Sequence, residues 1–116
     1  MKVDRTKYII WAADMQRAVD FYCSCLGAKL VRQSEVISEC EIAGAIIGIH
    51  GGGEGKQTWT GLCFQVADVV EGARQVEKAG GRLMKEPVAD NGEEAPHLAM
   101  CVDTEGNEFM LTRKRR

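Results

Sequence analysis

Two histidines, His50 and His97, are the side chains of this 116-residue chain best suited to moving protons near neutral pH. Each stands beside a loop at one end of a strand-like run, where an imidazole could serve as general acid or base. No carboxylate is placed by spacing to orient either ring. Their plainer reading is a surface or hydrogen-bonded role. Trp11 and Trp59 could wall a flat apolar ligand, or equally fill a core or a dimer interface. The five cysteines, Cys23, Cys25, Cys40, Cys63 and Cys101, contain no CxxC pair. Cys23 and Cys25 are two apart on a helical pattern and so point to different faces, which argues against a zinc site. Reduced thiols of a cytoplasmic protein fit this usage better than a secreted disulfide framework. Cys63 has no placed histidine to activate it and is a poor nucleophile. The run from Gly53 to Thr58 puts Lys56 after glycines, but Gln57 stands where a phosphate loop requires Ser or Thr. His50 occupies the place of that loop's first glycine, and the stretch reads as a linker.

Composition excludes several classes. The net charge of −2 and a pI near 5.7 leave no electrostatic footprint for nucleic acid. No apolar run approaches the roughly 18–20 residues needed to cross a bilayer. The charged residues 1–7 do not resemble a signal peptide, which makes a cytoplasmic location the expectation. The basic end, Arg113-Lys114-Arg115-Arg116, reads as a solvated tail. With 45% apolar and 28% charged residues, the composition is that of one ordinary globular domain over 1–116.

The elements that must position these side chains repeat. Residues 8–12 read as a buried strand. Asp14 caps a helix whose apolar residues Met15, Ala18, Val19, Tyr22, Cys25 and Leu26 keep a helical period, and Gly27 closes it. Strands follow at 29–35, 38–43 and 45–50, the last two forming a hairpin that turns near Gly44. After a glycine-rich join at 51–57, the pattern restarts with a strand at 59–66. A helix follows, capped by Asp68 with Glu71 at capping-box spacing and ended by Gly80-Gly81. Then come a strand at 82–85, a polar loop at 86–96, and a hairpin of 97–102 and 108–112 around Thr104-Glu105-Gly106-Asn107. Ala13-Asp14 leading to Gly27-Ala28-Lys29-Leu30 is repeated as Ala67-Asp68 leading to Gly80-Gly81-Arg82-Leu83. The chain is thus two tandem βαβββ modules, about 5–50 and about 58–113. Neither is large enough to bury its sheet alone.

Three passages carry a family resemblance. Residues 11–22 (WAADMQRAVDFY) with Leu26-Gly27, residues 65–69 (QVADV) with Ala79-Gly80-Gly81, and residues 103–111 (DTEGNEFML) occur in order over nearly the whole chain. Together they resemble the vicinal oxygen chelate superfamily of glyoxalases, extradiol dioxygenases, fosfomycin resistance and bleomycin-binding proteins. The resemblance implies an α+β fold in which two βαβββ modules form a curved mixed sheet around a concave cavity. It also implies a homodimer. Metal-dependent members hold a divalent ion with His, Gln or Glu from four strands. Carried onto this sequence, those positions fall on Lys7, Gly48, Gly61 and Met110, and none is a ligand such ions use.

A two-residue shift, which keeps the strand face, offers only His50 and Glu108. No metal and no other cofactor is therefore expected. The resemblance further places Trp11 on the cavity side with Lys7, Cys63 beside Gly61, and His97 where many members carry an arginine. Trp59 flanks the start of the fifth strand. Lys7 could hold a ligand's carboxylate or phosphate in place of an ion, or extend to solvent. The expected function is metal-independent binding of a small molecule by a homodimer, without nucleic-acid or membrane partners. The alternatives are a lyase, isomerase or dioxygenase-type enzyme using His50, His97 or Lys7, and an interaction subunit with a closed cavity.

Overall fold

The alternation of apolar residues in the first module builds a sheet with one face under a helix. In the computed structural model, which describes residues 1–89 and 95–114, Lys7–Ala12 form β1 and Met15–Leu26 form α1. Lys29–Arg32, Ile37–Ile42 and Ala45–Gly51 form β2, β3 and β4. The second module repeats this with β5 (Thr58–Val66), α2 (Val69–Lys78), β6 (Arg82–Leu83), β7 (Leu98–Val102) and β8 (Asn107–Arg113). The sheets have equivalent orders, β1-β4-β3-β2 and β5-β8-β7-β6, each with one parallel pair, β1 with β4 and β5 with β8. The expected two-module α+β architecture is therefore present.

Local chemistry accounts for the joints. The Asp14 carboxylate accepts from the Arg17 amide at 3.0 Å, and Asp68 accepts from the Glu71 amide at 3.0 Å, satisfying helix donors that have no partner within the helix. The Glu71 side chain does not turn back to its cap but accepts from Gln75. Ala43 and Gly44 both take positive φ, 48° and 85°, between paired Ile42 and Ala45, the two-residue turn that matches strand twist.

Two strands are shorter than the sequence pattern predicts. β2 ends at Arg32, not 35, because the pairing slips one residue between Leu30 and Arg32. The Ser34 hydroxyl then closes a turn by accepting from the Ile37 amide. β6 keeps only Arg82 and Leu83. Residues 90–94 of the polar loop and Arg115-Arg116 of the basic end lie outside the described residues.

One apolar core runs through both modules. Ile10, Ala12, Cys40, Ile47 and Ile49 of the first sheet meet Ala18, Val19, Phe21 and Tyr22 of α1. Leu62, Ala99, Cys101, Phe109 and Leu111 meet Val69, Ala73 and Val76 of α2. Phe21 bridges them by packing edge-on against Phe109, with centroids 6.0 Å apart. Among the described residues, no helix is long and apolar enough to cross a membrane.

Candidate functional site on the open sheet faces

Each sheet buries one face under helices and leaves the other open. Because Phe21 of α1 packs on the covered side of the second sheet, both open faces look the same way. The thinnest dimension of the molecule, 22 Å, is about one sheet plus one helix of ~10–12 Å diameter. The consequence is exposure of large side chains: Trp11 is 51% exposed, and Ile9 and Leu98 are also open, while Trp59, in the irregular stretch of β5, is 56% exposed.

Register assigns the first open face. Lys7, Ile9 and Trp11 of β1 lie level with Ile46, Gly48 and His50 of β4, and β3 adds Glu41, Glu39 and Ile37 on the same three levels. Trp11 and His50 stack at 4.5 Å with a 45° tilt. The His50 ring is fixed by Nδ1, 2.7 Å from the Gly51 carbonyl. A carbonyl can only accept, so Nδ1 carries the proton and the acceptor lone pair falls on Nε2. Gly48 leaves room that Ile9 fills, since a Cβ there would stand 2.5 Å from Ile9 Cδ1.

The central feature of this face is Glu39, only 6% exposed. Lys7 Nζ lies 2.9 Å from its carboxylate and Arg5 Nη2 3.3 Å away. The hydrogen bond from Lys7 holds the Glu39 carboxyl below its ordinary value against the opposing effect of burial, and the charges of Arg5, Lys7 and Arg32 add to it. Lys7 is therefore neither an idle cation nor one reaching only to water: its counter-ion belongs to the same chain. Glu39 did not stand out in the sequence, although its distance from the Ala43-Gly44 turn places it opposite Gly48.

The second open face carries Cys63, opposite Met110, with Glu108, Thr112, Leu98 and Met100. Here β5 bulges between Thr58 and Leu62. The Thr60 hydroxyl bridges the bulge, donating to the Glu108 carbonyl at 2.6 Å and accepting from the Leu62 amide at 3.0 Å. Gly61 within it takes φ 75°, so simple alternation from Cys63 does not describe its position. A Cβ on Gly61 would lie 3.5 Å from Tyr8 Oη of the first module. Glu108 accepts from Gln57 Nε2 at 3.1 Å, and Gln57 in turn accepts from Arg82, a polar string along one end of the face. Cys63 shares a contact with Thr112 Oγ1 at 3.4 Å.

His97 is not brought to either open face. It pairs with Arg113 at the start of β7, on the covered side that Ala99 and Leu111 share, with the Arg113 guanidinium 3.2 Å from Nε2.

The closing hairpin does work the sequence did not reveal: it fastens the modules together. Glu105, whose side chain is fully buried, accepts from the amides of Ala13 and Asp14 at 3.0 and 2.8 Å and from Arg17 Nε at 2.7 Å. Burial would raise its pKa, but hydrogen bonds from Arg17, the Asp14 amide and Thr104 outweigh it and hold the carboxyl low. Asp103 accepts from Tyr22 Oη at 2.6 Å and from the amides of Glu105 and Asn107. Burial raises the Asp103 carboxyl, partly offset by these donors. It also raises the Tyr22 hydroxyl well above its ordinary value, with the adjacent Asp103 charge adding. Asn107 Nδ2 donates to the Trp11 carbonyl at 2.7 Å, tying the clamp to the aromatic strand.

The sequence profile of the Glyoxalase/Bleomycin resistance protein/Dioxygenase superfamily matches residues 2–111. The chain belongs to this superfamily. Among solved superfamily-like folds it resembles FosX, a genomically encoded fosfomycin resistance protein from Listeria monocytogenes, with TM-score 0.79 at 18% identity over 100% of this chain and 94% of that one. It is also similar to the hypothetical protein SA1046 from S. aureus, with TM-score 0.73 at 19% identity over 97% and 98% of the two chains. An integron cassette protein of V. cholerae gives TM-score 0.68 at 22% identity over 99% and 98%. At these identities the likeness concerns the fold. No curated protein matches the sequence.

FosX has been crystallised with manganese(II) and sulfate. The four residues that the sequence resemblance carries onto metal-ligand positions, Lys7, Gly48, Gly61 and Met110, have no side chain suited to such an ion. Among the described residues, no three His, Cys, Asp or Glu side chains converge as a metal-binding group. His50 and Glu108, the two residues a shifted register would offer, are instead engaged with Gly51 and Gln57.

Proposed function

We propose that this superfamily member is a homodimer that binds a small organic molecule on its open sheet faces without a metal ion. The observation that carries this reading is the Lys7–Glu39 ion pair at 2.9 Å. By the family resemblance, this fixed cation, already held by a carboxylate, takes the position of a metal ligand. The aromatic pair Trp11–His50 gives the face a surface for a flat ligand. Dimerisation is supported by the exposure of Ile9, Trp11 and Leu98 on faces that look the same way, large apolar side chains that a second copy would cover. A second copy laid against them would convert two open sheets into enclosed cavities. Sedimentation velocity at micromolar concentration tests the assembly: a dimer is expected, and a purely monomeric species would overturn it. A thermal-shift screen tests the binding, with stabilisation lost in Trp11→Ala.

One observation favours a second reading, an enzyme of lyase, isomerase or dioxygenase type with a non-standard site. The His50 tautomer, set by the Gly51 carbonyl, leaves Nε2 able to take a proton on a face accessible to ligands. If His50 is such a base, His50→Gln abolishes turnover while leaving ligand affinity within about threefold.

A further inference from the structure

The first open face divides into an aromatic level and a charged level, and the spacing between them specifies a ligand. Trp11 and His50 share one level, and Ile9, Gly48 and Glu39 share the level two residues along. At the strand rise, the separation is about 7 Å. Ile9 over Gly48 makes an apolar floor beside Glu39 on the second level.

Charge on this face is unbalanced. Arg5 and Lys7 contact Glu39, and Arg32 is its partner in β2; Lys29 stands opposite Glu41. Four cations thus face two carboxylates.

We propose that this face selects a planar aromatic acid, its ring laid against Trp11 and His50 and its acid group on Lys7 and Arg5, where it competes with Glu39 as counter-ion. This rests on the small-molecule reading above and narrows it to a ligand class. A neutral isostere lacks the charge to replace Glu39, and a cationic analogue meets the surplus positive charge directly. Glu39 keeps Lys7 and Arg5 fixed until a ring anchors the acid beside them.

The test uses the full-length protein and isothermal titration calorimetry with four probes: 2-naphthoate, 2-naphthamide, 2-naphthylmethylammonium and cyclohexanecarboxylate. Naphthoate is expected to bind roughly ten- to a hundredfold more tightly than naphthamide, the range for a charge-assisted hydrogen bond, with the ammonium weakest. Cyclohexanecarboxylate should be weakened by loss of the aromatic contact. Glu39→Gln should tighten naphthoate severalfold, because an internal competitor is removed. Replacing both cations, in Arg5→Gln/Lys7→Gln, should bring naphthoate down to the affinity of naphthamide. The triple variant Arg5→Gln/Lys7→Gln/Glu39→Gln leaves no unpaired carboxylate to disturb folding and should give the same equalisation.

Equal binding of acid, amide and ammonium would overturn the acid selectivity while leaving a small-molecule site in place. Weakening of naphthoate by Glu39→Gln would overturn the counter-ion role. Failure of naphthoate to bind at millimolar concentration would overturn the ligand class. The broader reading then stands or falls on the thermal-shift screen of unrelated compounds.

Discussion

Glu105 provides a quantitative test of how the two modules are held in register. Its buried carboxylate accepts from two backbone amides, Ala13 and Asp14, and from Arg17 and Thr104. Glu105→Ala leaves both amides without that acceptor. At ~1–3 kcal/mol for each buried donor left unpaired, and with α1 still free to shift toward water, the expected loss is about 2–4 kcal/mol. Arg17 is half exposed, so its ion pair adds little after solvent screening.

Urea unfolding at pH 7 and fixed protomer concentration is the assay, since dimerisation would make the midpoint concentration-dependent. In Tm the deficit corresponds to roughly 10 °C. Glu105→Gln mimics the protonated side chain and sharpens the argument. A carboxyl held below its unfolded value of 4.5 contributes stability that is present above that pH and lost as pH falls through the folded value. The gap between wild type and Glu105→Gln should therefore be full at pH 7 and shrink below pH 4.5. A Glu105→Ala variant within ~0.5 kcal/mol of wild type would refute the clamp. A Glu105→Gln gap unchanged at low pH would refute its electrostatic origin.

Thiol labelling should separate the cysteines. Cys63 is exposed and should react first with a disulfide reagent, whereas burial pushes the Cys40 thiol up to about 11 and the Cys101 thiol to about 12, so both should react only on unfolding. Stopped-flow labelling that modified Cys101 as fast as Cys63 would contradict the packing. Gly81→Ala should cost about 1–3 kcal/mol, because a Cβ there would lie 2.8 Å from the Val102 carbonyl and Val76 Cγ1 and 3.0 Å from Phe21; thermal denaturation matching wild type would show the core to be looser than described. Phe109→Ala, which removes the ring that bridges Phe21 and Phe64, should cost about 3–5 kcal/mol, and a loss under ~1 kcal/mol would deny the continuous core.

The fold was legible because its joints are written in local chemistry. Asp14 and Asp68 sit where cap oxygens are needed, glycines close both helices, and the same order occurs twice. β2 and the β5 bulge were less legible. A one-residue slip in pairing and a hydroxyl-bridged bulge leave no periodic trace, and the bulge takes Gly61 out of the phase that alternation from Cys63 assigns.

At the site, Lys7 could be placed from sequence but Glu39 was missed. The signal existed, since residues 39 and 48 are equidistant from the Ala43-Gly44 turn and so must pair. Strand phase groups His97 with buried Ala99 and Cys101, away from the open faces. The Glu105 clamp joins groups 91 and 92 positions apart, a distance no local pattern spans.

The central claim, that a cation and its carboxylate take the place of a metal centre, is tested most directly by metal uptake. The protein would be equilibrated separately with nickel, zinc, manganese and ferrous iron, dialysed, and assayed by elemental analysis beside Lys7→His. The account predicts far less than one ion per wild-type chain for every metal and no metal-dependent gain in stability. One ion per wild-type chain, lost on replacing His50 or Glu108, would contradict it.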